Sequence, residues 1–253
     1  TPQVMGVINV TPDSFYAPSR VKVDDVLQHA QALIDEGATL LDVGAESSRP
    51  GATPISASEE IDRLLPVLRV LRRLNVPLSV DTCKAPVLEA ALSEGIDFVN
   101  DISGGEDPQL RALVQAHDLD YCVMHRQGTP PTMQEDPTYE DVVEEVYAFL
   151  KQKVDQCKQE GMRRVWVDPG IGFGKTHRHN VALMQSLDRF ATLGPVLVGV
   201  SRKSLFQPIA SLEDRMIPSV VGAAYAVLKG AKMVRVHDVR ETAQALSVLQ
   251  MLE

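Results

Sequence analysis

The sequence predicts an α/β protein built as one (β/α)8 TIM barrel, a single domain over residues 1–253. Three observations predict it. Short, almost uninterrupted apolar runs alternate with amphipathic stretches, as parallel strands covered on both faces require. There are eight such strand–helix pairs of similar length, and 253 residues is a usual length for one barrel. Each run also ends in polar residues, and a barrel gathers all its strand ends at one mouth. An open doubly wound sheet is the alternative arrangement of the same units.

In order, the strand runs are VMGVINV (4–10), TLLDVG (39–44), PLSVD (77–81), DFVND (97–101), DYCVMH (120–125), RVWVD (164–168), VLVGVS (196–201) and MVRVHD (233–238). Helical signals fill the gaps. After the second run, Ser56 and Glu59 have capping-box spacing, and Pro66 either kinks the helix that follows or marks its true start. After the fifth, Thr138 is placed to cap a helix with Val143, Val146, Leu150, Val154 and Cys157 on one face and Gly161 at its end. The amphipathic RETAQALSVLQML closes the chain.

Composition narrows the function. A net charge of −9 argues against nucleic acid and acidic membrane surfaces, which need excess Lys and Arg. No apolar run approaches membrane-spanning length, and no charged segment precedes a signal-like core. Cys83, Cys122 and Cys157 are an odd number, far apart, and suit buried thiols in a reducing compartment. A cytoplasmic protein is the expectation, with a short leader trimmed before Thr1.

The stretch DPGIGFGKT (168–176) looks like a nucleotide loop but fails on spacing. A P-loop needs glycine where Pro169 stands, and proline has no N–H to offer a phosphate. Gly170, Gly172 and Gly174 run G-x-G-x-G rather than G-x-G-x-x-G. Lys175 and Thr176 read as loop residues, and His177 and His179 as a solvated loop rather than a metal pair.

The strand ends supply the chemistry. Asn9 ends the first, Glu46, Ser48 and Arg49 follow the second, and Asp81 ends the third. Asn100 and Asp101 end the fourth, His125 the fifth and Asp168 the sixth. Ser201, Arg202, Lys203 and Ser204 end the seventh, and Arg235, His237 and Asp238 the eighth. Any single Asp here could be a helix cap, and His125 alone reads as a hydrogen-bonded wall residue. Taken together they divide by chemistry. Asp81, Asn100 and Asp168 are acceptors or amides suited to a flat heterocycle rich in N–H groups. Asn9, Arg49, Arg235 and His237 are donors and cations suited to a phosphate or pyrophosphate. Lys203 and Ser204 lie between the groups.

The stretches MGVINVTPDSF, GAESSRPG, SVDT, NDISGG, MHRQG, DPGIGFGK, SRKS and VRVHDV, in this order, make the chain resemble the dihydropteroate synthases of folate biosynthesis along nearly its whole length. The resemblance implies a barrel enzyme, using Mg²⁺ and usually dimeric. It would join 6-hydroxymethyl-7,8-dihydropterin pyrophosphate to p-aminobenzoate, releasing pyrophosphate. Carried across, Asp81, Asn100, Asp168 and Lys203 would hold the pterin, and Asn9, Arg49, Arg235 and His237 the pyrophosphate, with Asn9 also near the metal. Ser48, Arg49, Pro50, Phe173, Lys203 and Ser204 would form the aminobenzoate site, which is also the sulfonamide site. Asp81, Asp168, Lys203, Arg235 and His237 would be the catalytic set of a dissociative substitution.

The chain departs from the family pattern in three places. YAPS follows TPDSF where the family has SDGG, putting Ala17 in place of an acidic residue, for which Tyr16 or Asp13 would have to compensate. Ser48 stands where the family has threonine, and Arg126 adds a charge expected at the surface. A non-catalytic pterin-binding paralogue, or a pterin-dependent methyl transferase acting with a corrinoid partner, are the competing readings.

Overall fold

A computed structural model describes residues 1–11, 16–17, 20–48 and 51–252. Its strands are β1 (Gln3–Asn9), β2 (Tyr16–Ala17), β3 (Arg20–Val21), β4 (Leu40–Gly44), β5 (Leu78–Asp81), β6 (Phe98–Asp101), β7 (Asp120–Met124), β8 (Val165–Asp168), β9 (Leu197–Val198) and β10 (Met233–Val236). Its helices are α1 (Val23–Asp35), α2 (Ala57–Leu71), α3 (Ala85–Leu92), α4 (Pro108–Ala116), α5 (Val142–Gln159), α6 (His177–Gln185), α7 (Leu187–Phe190), α8 (Met216–Leu228) and α9 (Val239–Leu252).

Eight strands form one parallel sheet in the order β8-β7-β6-β5-β4-β1-β10-β9, and a parallel bridge between Val167 and Val196 joins the two ends. The eight runs are therefore the eight staves of a barrel, and the open sheet is excluded. β2 and β3 make a small antiparallel hairpin outside it.

Strand alternation builds two cores. One set of side chains, including Leu41, Val43, Val80, Val99, Val123, Val167 and Val234, packs outward under the helices. The other set points inward. Met5, Leu40, Phe98, Cys122, Leu197 and Met233, with Trp166 against them, plug the barrel toward the N-terminal ends of its strands. Above that plug the interior turns polar: Asp42, Ser79 and Asn100 are all buried.

Two helix starts refine the sequence reading. Ser56 caps α2 by accepting from the Glu59 N–H (3.1 Å), but the Glu59 carboxylate turns to Arg63 instead of back to Ser56. Pro66 lies inside α2 and so is not its start. The cap of α5 is Asp141 rather than Thr138, because Asp141 Oδ1 reaches the N–H groups of Val143 and Glu144 (3.0 and 3.1 Å). With the helix starting at 142, Val142 joins Val146, Leu150, Val154 and Cys157 on the buried face, while Val143 is half-buried.

Candidate functional site

Alternation lifts one inward residue per strand end into the mouth. Register links Asn9 with Gly44, Gly44 with Asp81, and Asp81 with Asn100. Glycine at 44 keeps this row open, since a Cβ there would lie 3.3 Å from the Asp81 Cβ.

Arg235 crosses the floor of the mouth. Its Nε donates to Asp42 Oδ2 (2.6 Å) and an Nη donates to Asp81 Oδ2 (2.9 Å). Burial opposes the guanidinium charge, but the two carboxylates outweigh it and raise the Arg235 pKa. Burial also pushes the Asp81 carboxyl up to about 7, against the pull of Arg235, and the negative charge of Asp42 adds to the rise. Asp42 is fully buried and further accepts from Ser79 Oγ (2.5 Å) and Asn100 Nδ2 (3.4 Å). Its ties hold the Asn100 amide so that Oδ1 is buried without a partner among the described residues. An orphaned acceptor in a buried polar site calls for a donor from a ligand or a water.

The opposite wall is built from the glycine-rich loop. Asp168 is buried, and burial raises its pKa although Lys203 opposes this. Asp168 Oδ1 accepts from the Gly170 N–H (2.7 Å), which holds the turn. Gly170 has φ +72°, and a Cβ there would collide with the His125 carbonyl. Lys203 reaches over from beyond β9: Nζ donates to Ile171 O (2.5 Å) and stands 4.6 Å from the Phe173 ring centroid. Burial lowers the Lys203 pKa to about 8. Phe173 is buried with Met124 and Met133, and Ile102 packs against them. His237 is half-buried, its N–H on Ser201 Oγ (3.2 Å) and its Nδ1 3.0 Å from the same hydroxyl. Asn9 is half-buried at the end of β1, and Ser204 is exposed at the start of a short 3-10 turn. A cavity of about 280 Å³ opens beside Asp81, lined in part by Ser48, Lys84, Ile102, Arg126 and Pro130.

Several sequence readings need correction. Asp101 does not face the mouth. Pointing the other way from Asn100, it accepts from Ser103 N, Ser103 Oγ, Gly105 N and Tyr121 OH at 2.6–3.0 Å, and so organises the loop that follows. Arg202 and Asp238 neutralise each other, with contacts of 2.5 and 3.2 Å. Lys175 is buried rather than a plain loop residue. Its Nζ binds His125 Nδ1 (3.0 Å), His125 O (3.3 Å) and Phe173 O (2.9 Å), and burial lowers its pKa to about 7. His177 and His179 are not loop residues but start α6, where Thr176 and His179 form a reciprocal cap. The Arg126 side chain is only 12% exposed, so it is not a surface charge. His125 is the hydrogen-bonded wall residue expected of it, its pKa lowered to about 3 by burial and by Lys175. The expectations placed on Asp13, Arg49 and Pro50, and on the side chains of Tyr16 and Ala17, fall outside the described residues.

Asp42 is the residue the sequence reading missed. It sits mid-run between Leu41 and Val43, but it shares inward parity with Leu40 and Gly44, and that parity was the available signal.

The family described as pterin binding enzyme matches residues 5–237. The dihydropteroate synthase of Haemophilus influenzae is 42% identical over 257 aligned residues, covering 98% of this chain and 93% of that protein. The dihydropteroate synthase of Yersinia pestis, solved as a sulfonamide drug complex, superposes with a TM-score of 0.93 at 40% identity, covering 99% of this chain and 94% of that one. The Thermus thermophilus enzyme in complex with 4-aminobenzoate gives a TM-score of 0.90 at 41% identity, covering 100% of this chain and 95% of that one.

Proposed function

This chain belongs to the pterin-binding enzyme family, among the dihydropteroate synthases of folate biosynthesis; on that premise we propose how its mouth joins dihydropterin pyrophosphate to p-aminobenzoate. The observation that carries the reading is the buried, partnerless Asn100 Oδ1 beside Asp81. With Asp168 across the mouth, these acceptors suit the amino-lactam edge of a pterin, whose N–H groups need carboxylate and amide oxygens. Asp42 joins this set through Arg235 and Asn100. Lys203 donates to the ring from the Phe173 side.

The substitution is dissociative. The carbon–oxygen bond to pyrophosphate breaks first, and the leaving group departs with the electron pair. Asn9, Arg49, His237 and the Arg235 Nη that Asp81 does not hold receive the growing oxyanion charge. Asp168 and the delocalised ring stabilise the methylene cation. The aryl amine, held by Ser48, Arg49, Pro50, Phe173, Lys203 and Ser204, then forms the carbon–nitrogen bond and loses its proton. Positioning does most of this work, because the amine is a weak base and needs no strong proton acceptor. A sulfonamide shaped like aminobenzoate competes for the same residues.

Mg²⁺ suits this donor set in a limited way. The described residues contain no cluster of three or more His, Cys, Asp or Glu for a metal, while Asn9 offers one amide oxygen at the strand end. That fits an ion held mainly by substrate oxygens and water. At that place Mg²⁺ would supply charge neutralisation for the leaving pyrophosphate.

The test is pyrophosphate release with each substrate alone and with both, with and without Mg²⁺. Release that needs both substrates supports the reading. Pterin binding without turnover would leave a binding protein instead.

Two further parts of the reading concern its setting. All three cysteines are free thiols, which supports a reducing, cytoplasmic site of action. Among the described residues no helix is long and apolar enough to cross a membrane. Ile217, Val221 and Leu228 expose apolar surface on α8, as do Val248, Met251 and Leu252 on the adjacent α9. Such a surface supports a homodimer closed by two-fold packing of these helices. Sedimentation of Val221→Glu against the parent chain tests this: a dimer should become a monomer.

A further inference from the structure

A second charged cluster borders the mouth. The segment between β4 and α2, residues 45–56, includes Ser48. A connection of this length needs an external hold if it is to present side chains at fixed positions. Lys84 supplies one. Its Nζ donates to Glu46 Oε2 (2.9 Å), Glu60 Oε2 (2.7 Å) and Ile55 O (2.8 Å), using all three ammonium hydrogens. The other Glu46 oxygen accepts from the Ile55 N–H (2.8 Å), so the start and end of the segment meet on one carboxylate and one ammonium. Glu60 is almost fully buried on α2, and Lys84 and Glu46 are 23% and 21% exposed, which shields these bonds from water.

Lys84 lies three residues beyond Asp81, just before α3. The N-terminal N–H of that helix, on Ala85, is held by Asp107 Oδ2 (3.2 Å). The ammonium is therefore carried on the short connection between the pterin-facing Asp81 at the end of β5 and the start of α3. We propose that Lys84, through Glu46 and Glu60, is a positioning residue that sets Ser48 of the aminobenzoate site in register with the pterin floor. This rests on the reading that Ser48 helps to hold aminobenzoate. Lys84 is not itself a catalytic residue, since its hydrogens are spent on the clamp.

The test uses Glu46→Gln, Lys84→Met and Lys84→Arg in the full chain. The amide introduced by Glu46→Gln keeps an acceptor for the Ile55 N–H but withdraws the charge that holds Lys84. Loss of a charge-assisted hydrogen bond predicts a rise of about tenfold in the KM for aminobenzoate, with the KM for the pterin substrate and kcat within about twofold. Lys84→Met raises the aminobenzoate KM further, and Lys84→Arg restores part of it. An unchanged aminobenzoate KM in folded Glu46→Gln, or equal rises in both KM values, overturns the proposal. Hydrogen exchange across residues 47–55 reads the clamp without substrates, and it should quicken in Glu46→Gln. Unchanged exchange there refutes the clamp whatever the turnover. Faster exchange in a chain that turns over neither substrate keeps the clamp and removes the aminobenzoate role. If Lys84→Met fails to fold, Glu46→Gln decides both points.

Discussion

Replacing Asp42 with Asn tests whether the floor of the mouth is one electrostatic unit. The shape is kept and only the charge is removed. Asp42 is fully buried and holds Arg235 Nε at 2.6 Å, Ser79 Oγ at 2.5 Å and Asn100 Nδ2 at 3.4 Å. Removing one partner of a buried ion pair costs about 3–5 kcal/mol. Arg235 keeps Asp81, and asparagine keeps one acceptor, so the lower end applies, about 3 kcal/mol. For a chain of 253 residues that is a fall in Tm of roughly 6–12 °C. Urea denaturation followed by circular dichroism gives the free energy, and titration with dihydropterin pyrophosphate gives the affinity, which should fall because Asn100 loses its anchor. A change below about 1 kcal/mol with unaltered pterin affinity would refute the shared floor.

Three other outcomes follow from the same geometry. Arg235→Ala slows pyrophosphate release, and because it leaves Asp42 and Asp81 facing each other without a cation it also weakens pterin binding; unchanged turnover would show that Arg235 has no part in the mouth. Gly170→Ala forces a Cβ against the His125 carbonyl at φ +72°, so it lowers stability by more than the 1 kcal/mol or so usual for a point change and disturbs Asp168, read by thermal melting and pterin titration. Lys175 and Lys203 have folded pKa values of about 7 and about 8, below the 10.5 of a free lysine. Unfolding therefore takes up protons between those values and 10.5, and stability rises with pH from about 7 upward. The rise should be flatter in Lys175→Met and Lys203→Met, measured by denaturation at about pH 7, 8 and 9.

The barrel was legible because eight buried strands leave eight apolar runs, and the mouth because each run ends in polar residues. What sequence order hid was the side of the strand. Asn100 and Asp101 are neighbours with similar chemistry, yet one faces the mouth and the other ties down a loop. Asp42 read as part of an apolar run because Leu41 and Val43 on either side face the helices. Lys175 read as a plain loop residue because it lies in a glycine-rich stretch. Here the loop folds over the end of β7, and the carbonyls of His125 and Phe173 replace water around the ammonium. Arg235 has the charge expected of a pyrophosphate ligand, but its position on the strand sends it first to two carboxylates.

The most direct test of the account is a crystal structure of the chain with dihydropterin pyrophosphate bound. The account predicts ring N–H groups about 3 Å from Asn100 Oδ1 and from the Asp168 carboxylate, with the pyrophosphate toward Asn9 and His237. A pterin lying elsewhere, with Asn100 Oδ1 still without a donor, would contradict it.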